Sequence, residues 1–203
     1  MNKFQLSAVF CLFLLLCSFT STAFACACCA EQGHYSIRTA KPSDYNLKEL
    51  QKLKFETAEL YTDAGYPDSI KGISPLGEGF SVENLFSGKL WTLNFRDNNQ
   101  QTGKLDLTKP LSMVEYMVDL PDGDDAESSM VRLYKEWRFK YKVQNATGIF
   151  KNGFAPTNEY FLVLQGYGNV CSSAEDFTKW RLEINGKKAE YSFFGNLSAV
   201  NQE

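Results

Sequence analysis

The clearest alternation of apolar and polar positions runs from Val131 to Val143. Val131, Leu133, Trp137, Phe139, Tyr141 and Val143 share one face, and Arg132, Glu136, Arg138, Lys140 and Lys142 share the other. Lys135 alone interrupts the apolar face. A strand of this length exceeds the usual range, so a bend or bulge is expected near Lys135. A second pair of alternating runs, between Thr178 and Phe193, flanks Asn185-Gly186. A two-residue primed turn there sets Ile184 opposite Lys187, Leu182 opposite Ala189 and Trp180 opposite Tyr191. The same register matches Glu183 with Lys188 and Arg181 with Glu190, opposite charges at cross-strand spacing.

Further strands are expected over 53–62, 80–86, 90–96, 104–108, 111–118, 148–151 and 159–165. Tyr160 to Leu164 is apolar on both faces and belongs in the middle of a sheet. Turn residues such as Ser87-Gly88, Asp97-Asn98-Asn99 and Asn152-Gly153 separate the runs. One short helix precedes them. Asn46 is placed at its N-cap with Glu49 reaching back, Tyr45 and Leu50 spaced as a staple, and Leu47, Leu50 and Leu53 along one side. Many strands, short links and one helix predict a mainly β fold, an antiparallel β-sandwich or a barrel-like meander. Trp91, Trp137 and Trp180 each open a Trp-x-apolar-x-apolar run and are read as inward-facing core.

The chain start has the parts of an export signal. Lys3 is followed by an apolar run from Ala8 to Leu16, and Ala23 and Ala25 fit the small-residue rule for cleavage between Ala25 and Cys26. That run is shorter than the roughly 20 residues needed to span a bilayer. Residues 1–25 are thus read as a cleaved signal peptide and 26–203 as one β-rich domain, with 26–43 a Cys-containing N-terminal segment. Such a chain works outside the cytoplasm: secreted, periplasmic or surface-anchored. The sequence carries 21 Lys and Arg against 24 Asp and Glu, a formal net charge of −3 that loss of Lys3 makes more negative. This excludes the basic footprint of a nucleic-acid partner and a polybasic membrane patch. No transmembrane segment follows the leader.

Cysteine carries the candidate chemistry. Cys26, Cys28, Cys29 and Cys171 remain after cleavage, and an even count in an exported chain reads first as disulfides. Adjacent Cys28 and Cys29 join only through a strained ring, so a bridge from one of the three to Cys171 is expected. Two other readings use the same residues. Cys26, Cys28, Cys29 and His34, with Cys171 folded alongside, offer soft ligands for Zn²⁺ or Cu⁺, although their spacing matches no standard zinc pattern. Cys26 after a small residue also suits a lipid anchor, although Ala23 and Phe24 depart from the usual acylation motif. Neither metal nor other cofactor is required by the sequence.

An enzyme would need the single His34 paired with a cysteine, or Cys171 activated beside the turn after Gly166 and Gly168. Ser172 and Glu175 suggest that this turn instead has a capping box and that Cys171 is a loop disulfide partner. No nucleophile elbow, phosphate loop or dinucleotide fingerprint is present. Asp119, Asp122, Asp124, Asp125 and Glu127 crowd one loop without the spacing of a Ca²⁺ hand and are read as a solvated turn. The sequence therefore favours a binding or structural module over a catalyst, with ligand and partner unknown.

Overall fold

Alternation of inward apolar and outward polar residues builds an antiparallel sheet that curls nearly into a barrel. In this computed structural model residues 33–61, 69–121 and 131–200 are described. Strand β1 (Tyr35–Ala40) leads to helix α1 (Asp44–Lys52), then to β2 (Leu53–Phe55) and β3 (Glu59–Leu60). There follow β4 (Ser81–Ser87), β5 (Leu90–Arg96), β6 (Thr102–Thr108), β7 (Met113–Pro121), β8 (Val131–Gly148), β9 (Glu159–Gly168), β10 (Phe177–Asn185) and β11 (Glu190–Ala199). The strands run in the order β2-β11-β10-β9-β8-β6-β5-β4, and β7 and β1 leave this path at β8. The two ends of the path meet: the Asn84 amide on β4 donates to the Leu53 carbonyl at 3.2 Å, and Ala58 bridges to Phe80. The mainly β expectation therefore holds, as does the central position of Tyr160 to Leu164.

The long alternation around Trp137 is a single 18-residue strand that serves two parts of the sheet. Its first half pairs with β7 and its second with β6, so β8 is the corner at which a two-strand wing, β7 and β1, departs from the barrel. The expected bulge near Lys135 is absent. Lys135 stays in register between Met117 and Gly166, and the irregularity falls instead where Leu107 meets Val143 and Asp106 meets Asn145. Lys135 needs no bulge because its charge is met in place. At the far end of β6, Gly103 faces Gly148, whose φ of 61° and contact with Thr102 leave no room for a side chain.

Aromatic side chains fill the barrel. Phe193 contacts Phe80, Phe95, Phe150 and Tyr191 at ring separations of 4.8 to 6.0 Å. Trp91, Trp137 and Trp180 are buried, and the indole N–H of Trp180 donates to the Thr57 carbonyl at 3.0 Å. Burial raises the phenol pKa values of Tyr160 and Tyr191 well above normal. Large rings, with the Trp91 and Trp180 N–H groups satisfied, thus make this interior a packed core.

Four local expectations are corrected. The hairpin turn spans four residues, Gly186 to Ala189, so Ile184 faces Tyr191, Leu182 faces Phe193 and Trp180 faces Gly195. The four-residue shift preserves the buried face but breaks the charge matching: Arg181 meets Glu183 on its own strand, and Glu190 reaches Lys71. Helix α1 starts three residues early, capped by Ser43 with Asn46 reciprocating, because Ser43 offers the same capping chemistry one turn upstream. Residues 53–62 break at Glu56 into β2 and β3, and 148–151 ends β8 and enters a tight turn at Lys151–Gly153.

Candidate functional site

The wing has two faces, set by the same alternation that builds it. On the inner face of β7, Met113, Glu115 and Met117 lie opposite Ala40, Arg38 and Ser36 of β1. These residues wall a cleft of about 860 Å³, closed opposite by Tyr45 and Asn46 of α1 and by residues 170–172. Arg38 donates from Nε to Glu115 at 2.7 Å, and its guanidinium stays mostly exposed while the carboxylate is buried. Lys41 stands beside it as a second cation. Met113 and Trp137 supply an apolar floor.

Lys135 sits at the inner end of this cleft with only 1% of its side chain exposed. Its ammonium donates to Asp176 Oδ2 at 2.7 Å and contacts the Cys171 carbonyl and Ser172 Oγ, each at 3.4 Å. Two glycines make room for this partner. A Cβ on Gly166 would lie 1.7 Å from the Asp176 carbonyl oxygen, and one on Gly168 would lie 2.2 Å from its carboxylate. Asp176 also accepts from the Ser173 backbone at 2.9 Å, so the capping residues are Ser173 and Asp176, one position later than Ser172 and Glu175. Glu49 of α1 accepts from the Ala174 backbone at 2.7 Å and from Lys52 at 2.6 Å, which joins the helix to the same turn. A buried charge held by a carboxylate and two neutral acceptors is satisfied where it stands.

The outer face of β7, β8 and β9 is a separate polar and aromatic array. Tyr134 donates to Glu136 at 2.6 Å, Gln165 donates to Glu136 at 3.0 Å, and Arg138 completes the carboxylate's partners. Burial pushes the Glu136 carboxyl pKa up, but hydrogen bonds from Tyr134, Gln165 and Arg138 outweigh burial and leave it below the ordinary value. Burial and then the Glu136 partner drive the Tyr134 phenol far upward. Arg132 and Arg138 lie over the rings of Tyr167 and Tyr116.

Of the residues singled out by sequence, Cys171 lies exposed on the rim of the cleft. His34 stands at the start of β1, exposed, its Nδ1 4.0 Å from Asp119 and outside the cleft. Cys26, Cys28 and Cys29, the cleavage position at Ala25 and most of the acidic loop after Asp119 fall outside the described residues. Among the described residues, no group of three or more His, Cys, Asp or Glu side chains is placed to hold a metal, and no helix is long and apolar enough to cross a membrane. Arg38, Glu115 and Asp176 escaped the sequence reading because nothing in sequence joins a β1 cation to a β7 carboxylate. Lys135 did leave a signal, as the one charge on an otherwise apolar face. No family model matches the chain, and no curated protein or solved structure matches it.

Proposed function

We propose that this chain is an exported binding module whose ligand occupies the wing cleft, and that the ligand is an organic anion with an apolar body. One observation carries the reading: the barrel interior is filled by aromatic side chains, while the cleft beside it stays open over Met113 and beneath Arg38 and Lys41. A guanidinium with spare donors suits a carboxylate, sulfonate or phosphate, and the methionines adapt to an apolar body of irregular shape. The probe is 1-anilinonaphthalene-8-sulfonate, an apolar anion, titrated against the folded protein by fluorescence. Saturable binding at one site, weakened about tenfold in Arg38→Ala, is the expected result, since a charge-assisted hydrogen bond contributes about 1.5 kcal/mol or more. Absence of binding, or equal binding by the variant, overturns the assignment.

The same reading keeps the N-terminal staple. Tyr35, Val118, Tyr134 and Tyr167 form one line across the sheet, so β1 begins at the end of the sheet from which the chain runs on to Cys171. Three strand spacings cover about 14 Å; the four residues from Cys29 to Gly33 reach about 13 Å, and the Cα–Cα span of a disulfide adds about 5 Å. A bridge from the cluster to Cys171 is therefore within chain reach and would border the cleft. Non-reducing peptide mapping of exported protein is expected to recover Cys171 joined to the 26–29 peptide. Free thiols with bound Zn or Cu would favour a metal centre of Cys26, Cys28, Cys29 and His34 instead, and an acyl mass on Cys26 would favour a lipid-anchored protein.

A further inference from the structure

The two ends of the sheet are treated differently. At one, β4 and β2 are tied by Asn84 and by the Ala58–Phe80 bridge. At the other, β1 pairs with β7 alone, and its far side is open among the described residues. The backbone N–H of Asp119 donates to the His34 carbonyl, which marks the 34/119 pair as hydrogen-bonded. In an antiparallel ladder such pairs alternate, so Ser36, Arg38 and Ala40 spend their backbone groups on β7, and Tyr35, Ile37 and Thr39 aim theirs outward. The same three residues project their side chains to the outer face, where Tyr35 is 64% and Ile37 59% exposed. Proteins usually blunt an open edge with Lys, Pro or a bulge; β1 contains neither Lys nor Pro and keeps register from Tyr35 to Ala40, and the one bulge, Gly33 and His34 against Asp119, lies before its first residue.

We infer that this edge pairs with a second copy of itself, β1 against β1 antiparallel about a two-fold axis through Ile37. The outward groups are self-complementary about that residue. Ile37 pairs with Ile37 of the second copy and Tyr35 with Thr39, so all six outward groups of each strand gain partners. The apolar residues then cover one another on the outer face. On the inner face each Arg38 lies opposite a Ser36, so no like charges meet. A closed two-fold contact consumes both edges and does not propagate, which distinguishes it from open-edge aggregation. A single strand pair is a small interface, so the dimer is concentration-dependent.

The test is sedimentation velocity of the exported protein across a concentration series, with amide exchange at the low and high ends. The mass is expected to rise from one chain to two, and the amides of Tyr35, Ile37 and Thr39 to gain protection on dimerisation while those of Ser36, Arg38 and Ala40 are protected throughout. Ile37→Pro removes only an outward donor and is compatible with an edge strand, so it is expected to stay monomeric with the β7 pairing intact. Ile37→Lys, which keeps the N–H, places two like charges on the axis and is expected to be monomeric too. A wild-type mass of one chain from micromolar to millimolar concentration overturns the inference. So does a dimer that persists in a folded Ile37→Lys, or protection of Ile37 that does not depend on concentration.

Discussion

The barrel and the wing share strand β8 yet solve the burial problem in opposite ways. The barrel turns aromatic side chains from β5, β9, β10 and β11 towards one another, and its rings meet edge to face, tilted or stacked with almost no solvent exposure. The wing is one layer thick. Its inner face carries Arg38 and Glu115, its outer face Tyr35 and Ile37, and among the described residues neither is covered by a second sheet. Stability therefore concentrates in the barrel, whereas the wing leaves its chemistry accessible. Residue type alone does not reveal this division, because both regions are rich in aromatic residues.

The sharpest way to break the comparison is to truncate one large apolar side chain on each side of β8. Phe193→Ala deletes a fully buried ring and is expected to destabilise the protein by about 3–5 kcal/mol. Ile37→Ala removes a side chain already exposed and is expected to stay within about 0.5 kcal/mol at concentrations where the chain is monomeric. Urea unfolding midpoints measure both. Similar losses would mean that the wing is part of the cooperative core and that its exposed face does not mark a region free to bind.

The joint between the regions is the Lys135–Asp176 pair, and it sharpens the contrast. Asp176→Asn leaves a buried ammonium without its counter-charge and is expected to lose about 3 kcal/mol. Lys135→Met fills the same space with an apolar chain beside Trp137, while Asp176, 15% exposed, keeps some access to water and its bond from Ser173. That variant is expected to cost less, about 1 kcal/mol, because replacing a buried charge differs from stranding one. Unfolding free energies in the reverse order would show that Lys135 is held by something other than Asp176.

How much of this was legible follows the range of the interaction involved. Period-two alternation is local, so β5, β8, β9 and β10 could be placed, and Lys135 could be marked as an anomaly. The register of β10 against β11 could not be read. The Asn185-Gly186 signal competes with contacts made by distant segments: Gly186 packs on Asn158, Ala189 on Gly72, and Glu190 donates to the Lys71 carbonyl. A four-residue slip preserves every inward face, so the hydrophobic pattern is silent about it. Strand β1 alternates, but its apolar residues face outward, so no buried stripe marks it as a strand. The cleft needed topology: Arg38 and Glu115 are 77 residues apart, and only the β1–β7 pairing brings them together.

A pH-dependent effect tests whether the outer face beside the wing contributes to folding at all. Glu136 sits below its ordinary carboxyl value of 4.5 because its hydrogen-bond donors outweigh the cost of burial. A depressed folded-state pKa gives stability that is fully present above the unfolded-state value and is lost as pH falls through the folded-state value. Glu136→Gln removes this titration and is expected to cost about 1 kcal/mol near neutral pH, after allowance for solvent screening. The difference between wild type and variant should then shrink as pH drops below the ordinary carboxyl value, in unfolding curves measured at a series of pH values. Tyr134→Phe supplies the complementary arm. Removing one donor raises the folded-state pKa, so the remaining contribution of Glu136 is lost at higher pH than in wild type. If the two variants show the same unfolding free energy as wild type at every pH, the outer array adds nothing to stability, and the wing is held only through its inner face and its ladder to β8.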